Sequence, residues 1–338
     1  MPANVNGPAT EVFAAMGSRC QISLTGTHGN RGTAELLHLG KTLVVELEQR
    51  WSRFLSSSDV SAINARPGEW ISVHRHTRNV LMMGDAGRSY TDGRYNPLVG
   101  ADLVRLGYST SFDAMNASRG SSEAQTDART HAAYAGADRS ATNGDIEINE
   151  SADSVRIPAD TMVDLGGIAK GYAADLVVDA LLALGATGVM VNLGGDVRVA
   201  GECPDQPYWS IQVGDREEVV LLEDGAVAFS STDKRRWQRG GRWFHHLVDP
   251  ASGSSVPVNL PIVCVVSASG WWSEVLTKSI AVHIGRELAT NCQATELSCL
   301  LCQAVPAGVH ALVSVEGMVA TTGGWDSVSA RLELVCSQ

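Results

Sequence analysis

The stretch Asp164-Leu-Gly-Gly-Ile-Ala-Lys170-Gly171 sets a carboxylate, a glycine pair and an ammonium group side by side. Asn192-Leu-Gly-Gly-Asp196 follows after one helix's length. A glycine pair before a helix lets the backbone approach a ligand closely, and the helix's first N–H groups then face an anion. Lys170 adds a fixed positive charge in the first turn. Neither the G-x-G-x-x-G spacing of a dinucleotide fingerprint nor the G-x-x-x-x-G-K-[ST] of a P-loop occurs. On their own, glycines at either place need only mean a tight turn. That reading leaves unexplained why Lys170 opens a helix and why two polar Gly-Gly turns stand so close together. A phosphorylated ligand explains both.

The elements that position these groups follow from periodicity. Ile168, Tyr172, Leu176, Val177, Ala180, Leu181 and Leu184 recur at helical spacing, with Gly185 as the expected C-cap. Val189–Leu193 reads as a buried strand ending in the second Gly-Gly turn. Upstream, alternating Cys20, Ile22 and Leu24 predict an edge or half-buried strand. An amphipathic helix is expected over 33–54 and another over 78–90. Downstream, strand-like runs recur at Ile211-Gln-Val, Val227-Ala-Phe, Ile262-Val-Cys-Val-Val and 309–315, with Glu316-Gly317 as a hairpin turn. Strands that run together, rather than alternate with helices, point to an α+β fold with antiparallel sheets. Residues 114–144, rich in Ala, Ser, Gly, Asp and Arg, read as a long exposed insertion within a single unit, and as the best boundary should there be two lobes.

Composition narrows the function classes. The 338 residues are 44% hydrophobic and 19% charged, which fits a globular protein with a sizeable core. A formal charge of −11 argues against a nucleic-acid partner, and it means that a diphosphate needs local screening by Lys, Arg or a divalent cation. No run approaches the ~20 apolar residues of a membrane span. Met1-Pro-Ala-Asn-Val-Asn-Gly has no export signal, so the sequence reads as cytoplasmic, with an exported or anchored form left open. The seven cysteines, an odd number, suggest free thiols. Cys299 and Cys302, next to Leu297, Leu300 and Leu301, are expected to be buried small apolar residues.

These blocks resemble the ApbE family of FAD:protein FMN transferases, which carry Asp-Leu-Gly-Gly-Ile-Ala-Lys-Gly followed by Asn-Leu-Gly-Gly-Asp. Further similar blocks stand in the family's order. They are Met16-Gly-Ser18, Trp51-Ser-Arg-Phe54, Asp59-Val-Ser-Ala-Ile-Asn64, Thr91-Asp-Gly-Arg-Tyr-Asn-Pro97 and His246-Leu-Val-Asp-Pro-Ala-Ser-Gly253. The resemblance implies a T-fold-like arrangement of helices on antiparallel sheets. It also implies an activity: FAD is the substrate, and its FMN half passes to a threonine hydroxyl of an acceptor flavoprotein while AMP leaves.

Site residues carry over position by position. Met16 and Phe54 match an apolar pair of the flavin pocket. Arg94, Tyr95 and Asn96 match Ala-Phe-Asp, so an amide stands where the family has a carboxylate. Asp164, Lys170 and Leu247 match further flavin contacts. His246 matches the proposed general base, a role that suits an imidazole with an ordinary pKa of ~6.5; His245 is the weaker candidate. Arg235 and Arg236 could meet phosphate or form a solvated basic loop. For magnesium the resemblance implies the Gly167 carbonyl, Glu274 and Thr277, while Lys278 replaces a family ligand. The competing readings are an FAD-binding protein or FAD pyrophosphatase that has lost transfer, and a redox factor using Cys299 and Cys302.

Overall fold

The computed structural model describes residues 8–117, 144–203, 206–257, 259–289, 296–315, 317–322 and 324–331. Its frame is an eight-stranded sheet whose strands lie side by side in chain order: Ala9–Ala15, Ser18–Leu24, Gly188–Leu193, Asp196–Gly201, Gly225–Ser230, Ile262–Ser267, His310–Val315 and Met318–Thr321. Every neighbouring pair is antiparallel. The expected α+β class holds. Among the described residues, no helix is long and apolar enough to cross a membrane.

Three helices cover one face of this sheet. Thr33–Trp51 buries Leu36, Leu37, Val44, Leu47 and Trp51, spaced as an amphipathic stripe. The signature helix, Ala169–Ala183, packs its Ala173, Ala174, Val177, Val178 and Leu181 into the same core. Gly185 follows it at φ 102°, the left-handed conformation expected just past a helix end. The third, Gly270–Ala289, lies over the later strands and buries Val275, Leu276, Ile280, Ala281 and Ile284. Strand Ile262–Ser267 shows why both faces must be covered. Val263 and Val265 pack under this third helix, while Cys264 and Val266 meet Trp209, Ile211 and Val220 of a small three-stranded sheet on the far side.

Two expectations change. Cys20, Ile22 and Leu24 lie in an interior strand, paired on both sides, and all three are buried. Cys299 and Cys302 are exposed. Helix Leu297–Ala304 turns Leu297, Leu300, Leu301 and Ala304 inward at i, i+3, i+4 and i+7, which leaves positions 299 and 302 on the outer face. The amphipathic helix predicted over 33–54 stops at Trp51, because Ser52 turns to extended backbone. Of the polar stretch, Phe112–Ala117 is helical and residues 118–143 lie outside those described. Glu316 of the predicted hairpin turn also lies outside them, while Val315 and Met318 pair as a hairpin would require.

Candidate active site

One cavity of about 1080 Å³ opens between the first hairpin, the loop before the signature helix and the segment around His246. Met16, Phe54, Arg94, Tyr95, Asn96, Asp164, Gly167, Lys170, His246, Leu247 and Lys278 all line it. Residues more than 250 positions apart in sequence thus meet on one surface. Glu274 and Thr277 do not reach the surface; both are fully buried beneath it.

Each block has a local reason for its position. Met16 and Gly17 form the two-residue turn between paired Ala15 and Ser18, at φ 52° and 60°. Such turns match the twist of a hairpin, but a methionine in this conformation is uncommon. It holds the Met16 side chain at the cavity edge. Asp164 closes the next turn: its Oδ1 accepts from the Gly166 N–H at 2.7 Å, and its other oxygen pairs with Arg53. The Arg53 guanidinium lies 4.2 Å from the Phe54 ring centroid and 4.9 Å from that of Tyr108, and it also donates to the Tyr108 carbonyl. Tyr108 in turn stacks on Trp237 at 5.4 Å. One wall of the cavity is therefore an aromatic–guanidinium layer. Of that layer, only Phe54 is among the residues the sequence points to. Arg53 stood beside it in the same block, whereas Tyr108 had no local signal.

The second Gly-Gly turn does a different job from the one expected. Gly194 and Gly195, at φ 68° and 106°, form the hairpin turn between paired Leu193 and Asp196 and do not line the cavity. The turn instead aims Asp196 at Lys170, and the two form a buried ion pair. Lys170 is thus held from below. Its ammonium also lies 3.3 Å from Glu274 Oε1, and Lys278 approaches that same oxygen at 3.4 Å. Glu274 Oε2 accepts from the Gly171 N–H at 2.8 Å. Burial lowers the Lys170 pKa to about 8, against the pull of Glu274, so the group remains cationic at neutral pH. Burial also pushes the Glu274 carboxyl up, but Lys170 and Lys278 outweigh it and hold the group below its ordinary value.

A divalent cation does not fit this donor set. Two ammonium groups already flank the only carboxylate of the implied site, and Thr277 donates its hydroxyl to the Glu274 carbonyl at 2.7 Å. The Lys278 stem fills the approach to Gly167, lying 3.6 Å from where a Cβ there would stand. Among the described residues, no three His, Cys, Asp or Glu side chains converge as metal ligands. Carboxylate, hydroxyl and carbonyl oxygens would suit a hard cation, but an ammonium in their midst repels one.

At the same end of the cavity stands His246. Its backbone N–H and Nδ1 both face the Arg235 carbonyl, at 3.3 and 3.4 Å. Burial, reinforced by the nearby charges of Arg235 and Lys278, holds its pKa well below 6.5. The imidazole is therefore neutral at pH 7, and the same surroundings oppose its protonation until negative charge arrives beside it. The His245 ring is engaged elsewhere, with Nε2 3.0 Å from the Val256 carbonyl. Asp249 anchors the segment: its carboxylate pairs with Arg286 through two contacts, at 2.6 and 3.2 Å, and caps the Ala251 N–H. Arg94 donates to Ser279 at 3.3 Å, and Asn96 accepts from the Leu98 N–H at 2.9 Å. The Tyr95 hydroxyl is buried without a hydrogen-bond partner among the described residues.

Comparison with known proteins decides the family. The profile of the ApbE family matches residues 16–301. This chain belongs to the ApbE family. Among curated relatives, the FAD:protein FMN transferase of Klebsiella pneumoniae is 32% identical over 122 residues, 34% of this chain and 37% of that protein. The protein of the same name from Rhodobacter capsulatus is 25% identical over 281 residues, 81% of this chain and 51% of that one. The matched stretches thus span about a third to a half of those relatives' lengths. Among solved structures, an ApbE protein of Thermotoga maritima superposes with a TM-score of 0.74 at 21% identity, covering 95% of this chain and 99% of that one. The apo flavinyl transferase ApbE of Pseudomonas stutzeri gives 0.74 at 22%, covering 98% and 100%. These structures share the fold described above.

Proposed function

We propose that this chain is an FAD:protein FMN transferase, which moves FMN from FAD onto a threonine hydroxyl of an acceptor protein and releases AMP. The observation that carries this reading is one cavity in which an aromatic wall, a floor of two carboxylate-paired lysines with Arg235, and a neutral imidazole meet. Met16, Phe54 and Tyr108 offer soft and aromatic surface to a flat ring system. Lys278 and Arg235 supply positive charge where a diphosphate would lie, with Lys170 behind them. His246 takes the proton of the incoming threonine hydroxyl. The threonine oxygen bonds to the phosphorus nearer the riboflavin, the phosphoanhydride bond breaks, and AMP carries away the electron pair. In this reading the chain works as one unit, because the cavity wall is drawn from residues 12 to 282.

Isothermal titration tests the binding half. FAD is expected to bind more tightly than FMN, because Arg235 and the Lys170 and Lys278 ammonium groups meet two phosphates rather than one. The FAD isotherm is expected to be the same in EDTA and in magnesium. Lys278→Thr should weaken FAD binding in EDTA and make it magnesium-dependent. Equal affinities for FAD and FMN would remove the diphosphate argument, and a strong magnesium requirement in the wild type would remove the role given to Lys278.

A further inference from the structure

The mechanism above leaves the outer surface of one element unused. Arg236–Arg239 and Arg242–His245 form a two-stranded hairpin that belongs to no larger sheet. Its turn is Gly240-Gly241, at φ 55° and 76°, a conformation that glycine adopts without strain. Lys234, Arg235, Arg236, Arg239 and Arg242 place five cations within nine residues, in a chain whose net charge is −11. Asp233, paired with Arg236 at 3.6 Å, is the nearest acidic neighbour on the same segment. Lys234, Arg236, Arg239 and Arg242 are exposed, and Lys234 and Arg242 make no ion pair among the described residues.

The hairpin is fixed to the active cavity. Its base is the pair Arg236 and His245, flanked by Arg235 and His246, which both line the cavity. Trp237 points inward, where it stacks on Tyr108 and donates its indole N–H to the Leu106 carbonyl at 2.8 Å. Arg239 donates to the Arg105 carbonyl at 2.7 Å. On the opposite face the Arg236 guanidinium lies 5.0 Å from the Trp243 ring centroid, and Trp243 is 59% exposed. The outer face thus presents the Trp243 ring and Arg236, while Arg239 and Arg242 stand on the face of Trp237 toward the hairpin tip and Lys234 precedes the first strand.

We infer that this hairpin docks an acidic segment of the acceptor protein next to the threonine that receives FMN. The inference rests on the transferase reading, and it adds what that reading lacks, the chemistry by which the acceptor is recognised. A short carboxylate-rich segment senses the local charge of the hairpin, and its backbone can lie across the exposed Trp243 ring. An extended polyanion, such as duplex DNA or an anionic bilayer, would also meet the repulsion of the whole acidic chain.

Fluorescence anisotropy tests this with two labelled peptides, each carrying a central threonine. One is flanked by Asp and Glu, the other by Ser and Gln. The acidic peptide is expected to bind about tenfold more tightly at low salt, a preference lost as salt rises. The double charge reversal Lys234→Glu with Arg242→Glu should abolish the preference, and Trp243→Ala should weaken both peptides. FAD titration of each variant reports that the cavity is intact. Equal binding of the two peptides, or tighter binding of a DNA duplex or of phosphatidylserine vesicles, would overturn the proposal. Chemistry separates the two readings. An acidic peptide that docks yet never acquires FMN supports the hairpin and defeats the transferase; peptides modified with equal KM whatever their flanks do the reverse.

Discussion

His246→Ala is expected to lower FMN transfer to an acceptor peptide by roughly 10²–10⁴-fold, the range for losing a general base, while FAD affinity stays nearly unchanged. The imidazole lines the cavity, and burial, with help from Arg235 and Lys278, keeps it neutral at pH 7. Removing it leaves the threonine hydroxyl to surrender its proton to water. The same charges predict the pH profile. In the free enzyme the acid limb of kcat/KM for FAD should lie below pH 6.5, because protonation waits for the depressed pKa. Saturating FAD brings phosphate charge close to the ring and should move the limb for the acceptor toward higher pH. The stability sign is consistent: a histidine buried neutral contributes stability above about pH 6.5, lost as pH falls through its folded pKa. An unchanged transfer rate in His246→Ala would show that another group takes the proton.

Gly171→Ala should cost about 3 kcal/mol of stability, at the upper end for overpacking. The signature helix and helix Gly270–Ala289 touch backbone to backbone here. A Cβ on Gly171 would stand 2.2 Å from the Gly270 carbonyl oxygen and 2.4 Å from its carbon. A Cβ on Gly270 would likewise stand 2.5 Å from the Gly171 oxygen. No flexible side chain can yield at this contact, so the helices must part. The same crossing carries the Gly171 N–H to Glu274 and lets Asp175 cap the Gly270 and Trp271 N–H groups at 2.7 and 2.9 Å. Parting the helices therefore also loosens Lys170 and Lys278 and should weaken FAD binding. A melting temperature and FAD affinity equal to wild type would show that the crossing tolerates the methyl group.

What the sequence disclosed depended on distance along the chain. The turn before the signature helix was legible, because Asp164, Gly167 and Lys170 act within a few residues of one another. The turn at Gly194-Gly195 was recognised, but its purpose was not, since Asp196 meets Lys170 only through the strand order. Glu274 and Lys278 pair across one turn of a single helix, four residues apart. That Lys170 shares the same carboxylate depends on the close approach of two helices, and so on Gly171 and Gly270. Tyr108 and Trp237 belong to different elements, and their stacking has no local sequence signature. Cys299 and Cys302 depart from the expectation because apolar neighbours in sequence do not fix the helix face a residue takes, and both lie opposite Leu297, Leu300 and Leu301.

The most direct test of the transferase reading uses wild-type protein, FAD and a threonine-containing acceptor peptide with acidic flanks, without added metal. Mass spectrometry of the peptide and chromatography of the nucleotides are read together. FMN is expected on the threonine with an equal amount of AMP, and no adduct on the matching alanine peptide. Free FMN and AMP with an unmodified peptide would contradict the transferase reading and identify a pyrophosphatase instead.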